Sequence, residues 1–168
     1  KYIDKVMLPQ LKQLVTNYKP ALLSSDGDWW MDYKKWRTLP FLSWALNNAA
    51  NKDELVFNDR WGKVRGKHGG YYTTEYGSGF ADGTIPWEEN RGIGMSFGIN
   101  RIENIDDYRT DKELIFMLVD IVSRGGNLLL NIGPNADGTI PVIMQQRLIE
   151  IGNWLSVYGE GFYDTKQW

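Results

Sequence analysis

The chain has 168 residues, 42% hydrophobic and 24% charged, a length and composition suited to one globular domain with a real core. Its net charge of −2 gives no electrostatic case for nucleic acid or an anionic membrane, and no uncharged apolar run approaches the roughly 20 residues that span a bilayer. The absence of cysteine excludes disulfides and thiolate sites, and a single histidine, His68, excludes a His-rich zinc site.

From the N-terminus, apolar residues at Leu8, Leu11, Leu14, Val15 and Tyr18 have helical spacing, with Pro9 suited to a first turn and Lys19-Pro20 to a stop. Ala21 to Ser25 is short and apolar and reads as a buried strand. A loop bearing Trp29, Trp30 and Trp36 follows, and Thr38 is placed as the N-cap of a helix reaching about Ala50. Leu55-Val56-Phe57 is the next strand. Residues 61–92 read as one long Gly-rich loop, of the kind that is usually functional in a compact domain. A strand is expected over Ile93–Ile99 and an amphipathic helix over Asp111–Ser123, closed by Arg124-Gly125-Gly126. The chain ends in a strand over Asn127–Ile132, a turn over Gly133–Gly138, and a helix from Pro141 to about Tyr158. Strands alternating with helices imply a parallel sheet, and four such units amount to half of an eight-stranded βα barrel. No signal peptide is read. The start at Lys1-Tyr2-Ile3, without Met, leads us to expect an upstream segment.

In a βα barrel the catalytic groups sit past the C-terminal ends of the strands. On that reading Asp26 comes from the first strand, Asn58, Asp59 and Arg60 from the second, Glu88 from the long loop and Asn131 from the last strand. Two carboxylates can cleave a glycosidic bond, one attacking or activating water and the other protonating the leaving oxygen. Asp26 lies in Leu22-Leu23-Ser24-Ser25-Asp26-Gly27-Asp28-Trp29-Trp30, and Glu88 beside Trp87 and Glu89. An apolar wall at Trp87 and a like charge at Glu89 are the neighbours that would suit Glu88 to hold a proton. Asp26-Gly27-Asp28 also reads as a simple turn, Asp59-Arg60 as a structural ion pair and Glu88-Glu89 as a solvated pair. His68-Gly69-Gly70 and Asn135-Ala136-Asp137-Gly138 read as turns. The eight Trp, nine Tyr and six Phe suit core packing for the most part, and stacking on the C–H face of a sugar for a few.

These segments together resemble the retaining α-L-fucosidases of the glycoside hydrolase family that includes the lysosomal enzyme. Ser25-Asp26-Gly27-Asp28-Trp29 resembles the nucleophile segment, Asn58-Asp59-Arg60-Trp61-Gly62 the NDRWG motif, and His68-Gly69-Gly70-Tyr71-Tyr72 the HGGYY that follows. Trp87-Glu88 resembles the segment carrying the acid/base in many members. Gly125-Gly126-Asn127 through Gly133-Pro134, with Asp137-Gly138 after it, resembles the GGN-LLNIGP strand, and Gly159 to Tyr163 the exit from the catalytic domain.

The resemblance implies that Asp26 is the nucleophile and Glu88 the general acid/base, with Arg60, Trp29, Trp61, Trp87 and Tyr72 binding the sugar. It implies no metal or organic cofactor, and a fucosylated glycan or small fucoside as substrate. Retention implies carboxyl groups about 5–5.5 Å apart. Ser24 departs from the family, which often has Trp there. The expected organisation is a single domain over residues 1–168, the C-terminal half of a catalytic barrel, with the family's N-terminal half and C-terminal β-sandwich outside it. Uncovered strand edges and apolar faces then imply a homo-oligomer. A sugar-binding or assembly module without activity, or a fragment active only beside a complementing half-barrel, are the alternatives.

Overall fold

The structure is a computed structural model that describes residues 1–64, 70–77, 79 and 84–165. The chain divides into two compact units, Lys1–Thr73 and Thr74–Trp168.

In the first unit a π-helical turn, Ile3–Met7, runs into α1, Leu8–Tyr18. Pro9 stands just past the junction, where the Leu8 N–H before it still bonds back to the Ile3 carbonyl. Lys19 ends the helix in the left-handed region at φ 48°. Strand β1, Leu22–Leu23, is followed by a 3-10 turn at Asp28–Trp30, the short α2, Tyr33–Trp36, then α3, Thr38–Asn48, and β2, Val56–Phe57. β1 and β2 pair in parallel, Leu22 opposite Val56 and Leu23 opposite Phe57. Because strand side chains alternate, Leu23 and Phe57 enter a core with Val15, Phe41, Leu42, Ala45 and Trp61, while Leu22 and Val56 stay exposed on the other face. Thr38 does not cap α3 as the sequence suggests. Arg37 holds the cap position in the left-handed region, and the Thr38 hydroxyl donates instead to the Trp61 carbonyl at 2.6 Å, tying the start of α3 to the loop after β2.

β3, Tyr72–Glu75, straddles the boundary between the units, and the sheet order is β3-β4-β5. β4, Trp87–Gly92, runs parallel to β5, Gly126–Asn131, in register from Trp87 opposite Gly126 to Gly92 opposite Asn131. α4, Asp111–Ser123, connects them, and α5, Val142–Tyr158, follows β5. Ile93, Leu114 and Met144 form the centre of this unit's core. The parallel pairings and intervening helices give the α/β class expected from the sequence.

Two strands lie inside the stretch read as a long loop, and the strand expected at Ile93–Ile99 is absent. The apolar pattern misleads here because β4 is Trp-Glu-Glu-Asn-Arg-Gly. Its charges are matched locally: Glu89, 1% exposed, accepts from Arg91 at 2.5 Å, from the Gly77 N–H at 3.1 Å and from the Thr74 hydroxyl. After β4 the chain folds back on itself. A Cβ on Gly92 would lie 2.5 Å from the Ser96 carbonyl oxygen, and one on Gly94 2.7 Å from Glu103 Oε2. Gly92 and Gly94 therefore mark close approaches rather than gaps in a strand.

α4 opens with a capping box, Thr110 accepting from the Glu113 N–H while Glu113 accepts from the Thr110 N–H and hydroxyl. Those two donors hold the Glu113 carboxyl below its ordinary value of 4.5. A carboxyl depressed in the fold contributes stability above its unfolded value, lost as pH falls through the folded one. Thr110→Ala should therefore lower the urea midpoint at neutral pH, and the deficit should narrow as acid protonates Glu113. A deficit that is the same at pH 7 and pH 3 would remove the box as its cause.

Candidate active site

The loops after β1 and β2 are locked together through backbone groups. Asn58 accepts from the Ser25 N–H at 3.1 Å and donates through Nδ2 to the Ser25 carbonyl at 2.8 Å, while the Ser25 hydroxyl donates to the Arg60 carbonyl. Asn58 also bridges to Tyr71 at the entry to β3. Gly70 permits that approach. It sits at φ +90°, and a Cβ there would lie 2.0 Å from the Phe57 carbonyl oxygen.

This frame brings Asp26 to Arg60. Arg60 is 5% exposed and donates from Nη1 to Asp26 Oδ1 at 2.9 Å; the Asp26 side chain is 66% exposed. Oδ2 has no hydrogen-bond partner among the described residues. One carboxylate oxygen is thus fixed by a buried cation and the other is open to an incoming atom. Gly27, at φ +81°, turns the chain immediately after Asp26, and Asp28 is buried beneath. A cavity of about 320 Å³ adjoins the pair, lined by Ser24, Asp26, Gly27, Arg60, Trp36 and Trp61 among others. Such a space suits a small polar ligand with one apolar face.

Of the aromatic residues predicted to bind sugar, Trp29 is 49% exposed, close to Asp26 in sequence. Trp61 is 3% exposed. Its ring packs against Phe41 and edge-on to Phe57, each at 5.6 Å, so its faces belong to the core and only part of it borders the cavity. Tyr72 is half-buried at the start of β3, whereas its neighbour Tyr71 reaches the site, its hydroxyl 2.8 Å from Ser24 Oγ. Sequence reading passed over Tyr71 and Thr73; the alternation through Tyr71-Tyr72-Thr73 was the available signal, since it puts Tyr71 and Thr73 on one face. His68 and Gly69 of the HGGYY segment lie outside the described residues.

In the second unit Glu88 is the second residue of β4, not a loop residue, and stands opposite Asn127 at the start of β5. Asn131 lies at the other end of the pair, opposite Gly92. Alternation turns Trp87 and Glu89, both buried, to one face and the half-buried Glu88 to the other. The apolar wall and like charge that the sequence suggested for Glu88 therefore face away from it. Trp87 is fully buried: its indole N–H donates to the Arg124 carbonyl at 3.3 Å, and the Arg124 guanidinium lies 5.2 Å from its ring centre. It is a packing residue and offers no face to a sugar. No cluster of potential metal ligands occurs among the described residues.

The sequence model of the family described as alpha-L-fucosidase matches residues 1–160. The chain is 43% identical to an alpha-L-fucosidase of Dictyostelium discoideum, the match covering 99% of this chain and 37% of that protein. It is 42% identical to the tissue alpha-L-fucosidase of Homo sapiens, over 99% of this chain and 36% of that one. Among solved structures, the Thermotoga maritima alpha-fucosidase in complex with a mechanism-based inhibitor superposes with a TM-score of 0.84 at 39% identity, again over 99% of this chain and 36% of the other. The same enzyme in complex with fucose gives 0.83 at 38%. The chain therefore spans little more than a third of the length of the relatives it matches.

Proposed function

The chain belongs to the alpha-L-fucosidase family, and on that premise we propose that it carries part of a catalytic domain hydrolysing terminal α-L-fucosides with retention. The observation that supports this best is Asp26, with Oδ1 held by buried Arg60 and Oδ2 open beside a cavity. In the proposed reaction Asp26 attacks the anomeric carbon and the bond to the leaving oxygen breaks, with Glu88 giving that oxygen its proton. Water then attacks the anomeric carbon, Glu88 takes a proton from it, and the bond to Asp26 breaks. The structure of the Thermotoga relative with fucose supports the choice of sugar. Binding is assigned to Arg60 and Trp29, with Tyr72 a further candidate, while Trp61 contributes an edge. No cofactor enters either step. Transfer to an acceptor alcohol in place of water is the same second step with a different oxygen.

We read the fold as the C-terminal half of a βα barrel and residues 1–168 as one folding domain within it. Leu22 and Val56, 57% and 42% exposed and opposite each other in register, are the apolar side chains that such a half leaves uncovered. A second copy of the chain is the partner proposed to cover them. Size-exclusion chromatography with light scattering tests both readings if nitrophenyl α-L-fucoside turnover is measured on the same peak. We expect an oligomer that turns over the fucoside. A stable, inactive monomer that gains turnover when mixed with the family's upstream half-barrel would favour complementation. Fucose binding without turnover under either condition would favour a sugar-binding module.

A further inference from the structure

Arg60 is linked to a second carboxylate, and this one is buried. Asp59 is 2% exposed and Thr73 is 5% exposed. Thr73 Oγ1 donates to Asp59 Oδ1 at 2.7 Å and accepts from Arg60 Nε at 2.6 Å. The direction of each bond is fixed by what the groups are able to do. A carboxylate only accepts and a guanidinium only donates, so the single Thr73 proton must point to Asp59 and its lone pair to Arg60. The donor edge of Arg60 that faces outward then reaches Asp26 through Nη1.

We infer that Asp59 and Thr73 are positioning residues, a relay that fixes the plane of the Arg60 guanidinium so that Nη1 is presented to Asp26. Nothing in the NDRWG resemblance assigns Asp59 this part, and the sequence offers it either as a group at the strand end facing the site or as one half of an ion pair with Arg60. The difference has consequences. An ion pair is satisfied by charge in any orientation, whereas a hydroxyl that must donate one way and accept the other selects one guanidinium plane. Because Asp26 is largely exposed, solvent does little to hold it, and the buried side of Arg60 carries the alignment. Asp59 also places a negative charge near the buried guanidinium, offsetting the cost of burying that cation.

This inference rests on the reading of Asp26 as the reacting carboxylate, so its test needs a readout independent of turnover. The Arg60 Nε–H proton is such a readout, assigned in 15N-labelled protein as the guanidinium signal missing from Arg60→Lys. In the native chain it should exchange slowly with water. Thr73→Val, nearly isosteric, should speed that exchange at least about tenfold, and Thr73→Ser should restore it. Asp59→Asn should speed it by a smaller factor, and it serves in place of Thr73→Val if that variant does not fold. In any preparation that turns over a fucoside, the same substitutions should lower kcat with little change in KM, and Ser should recover it. Unchanged exchange in both Thr73→Val and Asp59→Asn overturns the relay. Faster exchange with kcat untouched overturns its positioning role. A relay intact by exchange in a chain without any turnover counts against the fucosidase reading and leaves the relay standing.

Discussion

Asp26→Gly should lower turnover of a nitrophenyl α-L-fucoside by more than about a thousandfold, and azide should restore much of it. Losing a single transition-state hydrogen-bond donor already costs roughly 10²–10³ in rate, and removing the attacking oxygen closes the covalent route altogether. The fold should tolerate the change. The Asp26 side chain is 66% exposed and Arg60 is its one hydrogen-bond partner among the described residues, while the Asn58–Ser25 clamp that shapes the loop uses backbone groups of a different residue. Melting temperature should therefore move little. The vacated space borders the cavity and faces the same side as Arg60, whose charge favours entry of an anion. Azide attacking the anomeric carbon forms a nitrogen–carbon bond as the nitrophenolate departs. The product is a fucosyl azide of inverted configuration, because only one displacement has occurred. The assay belongs in whichever preparation turns over substrate, whether the chain alone or the chain with an upstream half-barrel. Asp26→Gly with the native rate would take the nucleophile's role away from Asp26. A lost rate that azide does not restore, in a protein with the native melting temperature, would assign Asp26 to binding instead.

Much of the first unit was legible because its signals are local. The α1 periodicity, Pro9 in the first turn and the Lys19-Pro20 stop each act within a few residues, and the helix lies where they place it. Counting apolar runs places Asp26 and Arg60 at strand ends, and the structure joins them at 2.9 Å. What was not legible depends on long-range pairing. Thr38 reads as a cap because caps are local, but its hydroxyl is taken by the Trp61 carbonyl, which the sequence does not connect to it. β4 is hidden because apolar content does not mark Trp-Glu-Glu-Asn-Arg-Gly as a strand. That strand is stabilised by Arg91, Thr74 and Gly77 meeting Glu89, contacts that exist only once the chain has folded. The same blindness set Trp87 and Glu89 beside Glu88, since adjacency in sequence becomes opposition across a strand. Thr110 and Glu113 stand in the sequence as Thr-x-x-Glu, the local signature of the capping box that opens α4.

Trp87 offers the sharpest contrast between the two readings, because a sugar platform and a core residue respond to truncation in opposite ways. A platform exposed to solvent loses affinity and little stability when cut back. Trp87 is 0% exposed, and its ring fills the space that glycine leaves at two other positions. A Cβ on Gly79 would lie 2.3 Å from the ring, and one on Gly126, its partner in register on β5, would lie 2.4 Å from it. The two glycines pressed against the indole have no side chains of their own to move into the gap, so much of the cavity left by Trp87→Ala should persist. Truncating a buried Trp costs about 3–5 kcal/mol, and poor collapse puts this site toward the upper end. The loss also removes the indole N–H that donates to the Arg124 carbonyl and the ring under the Arg124 guanidinium. Against a typical total stability of about 5–15 kcal/mol, such a loss approaches unfolding. Urea titration followed by tyrosine fluorescence should show the midpoint for residues 74–165 falling steeply. Trp87→Phe, which keeps an aromatic ring but drops the N–H and part of the volume, should fall between. A Trp87→Ala protein with the native midpoint and weakened fucose binding would return Trp87 to the sugar site and remove it from the core.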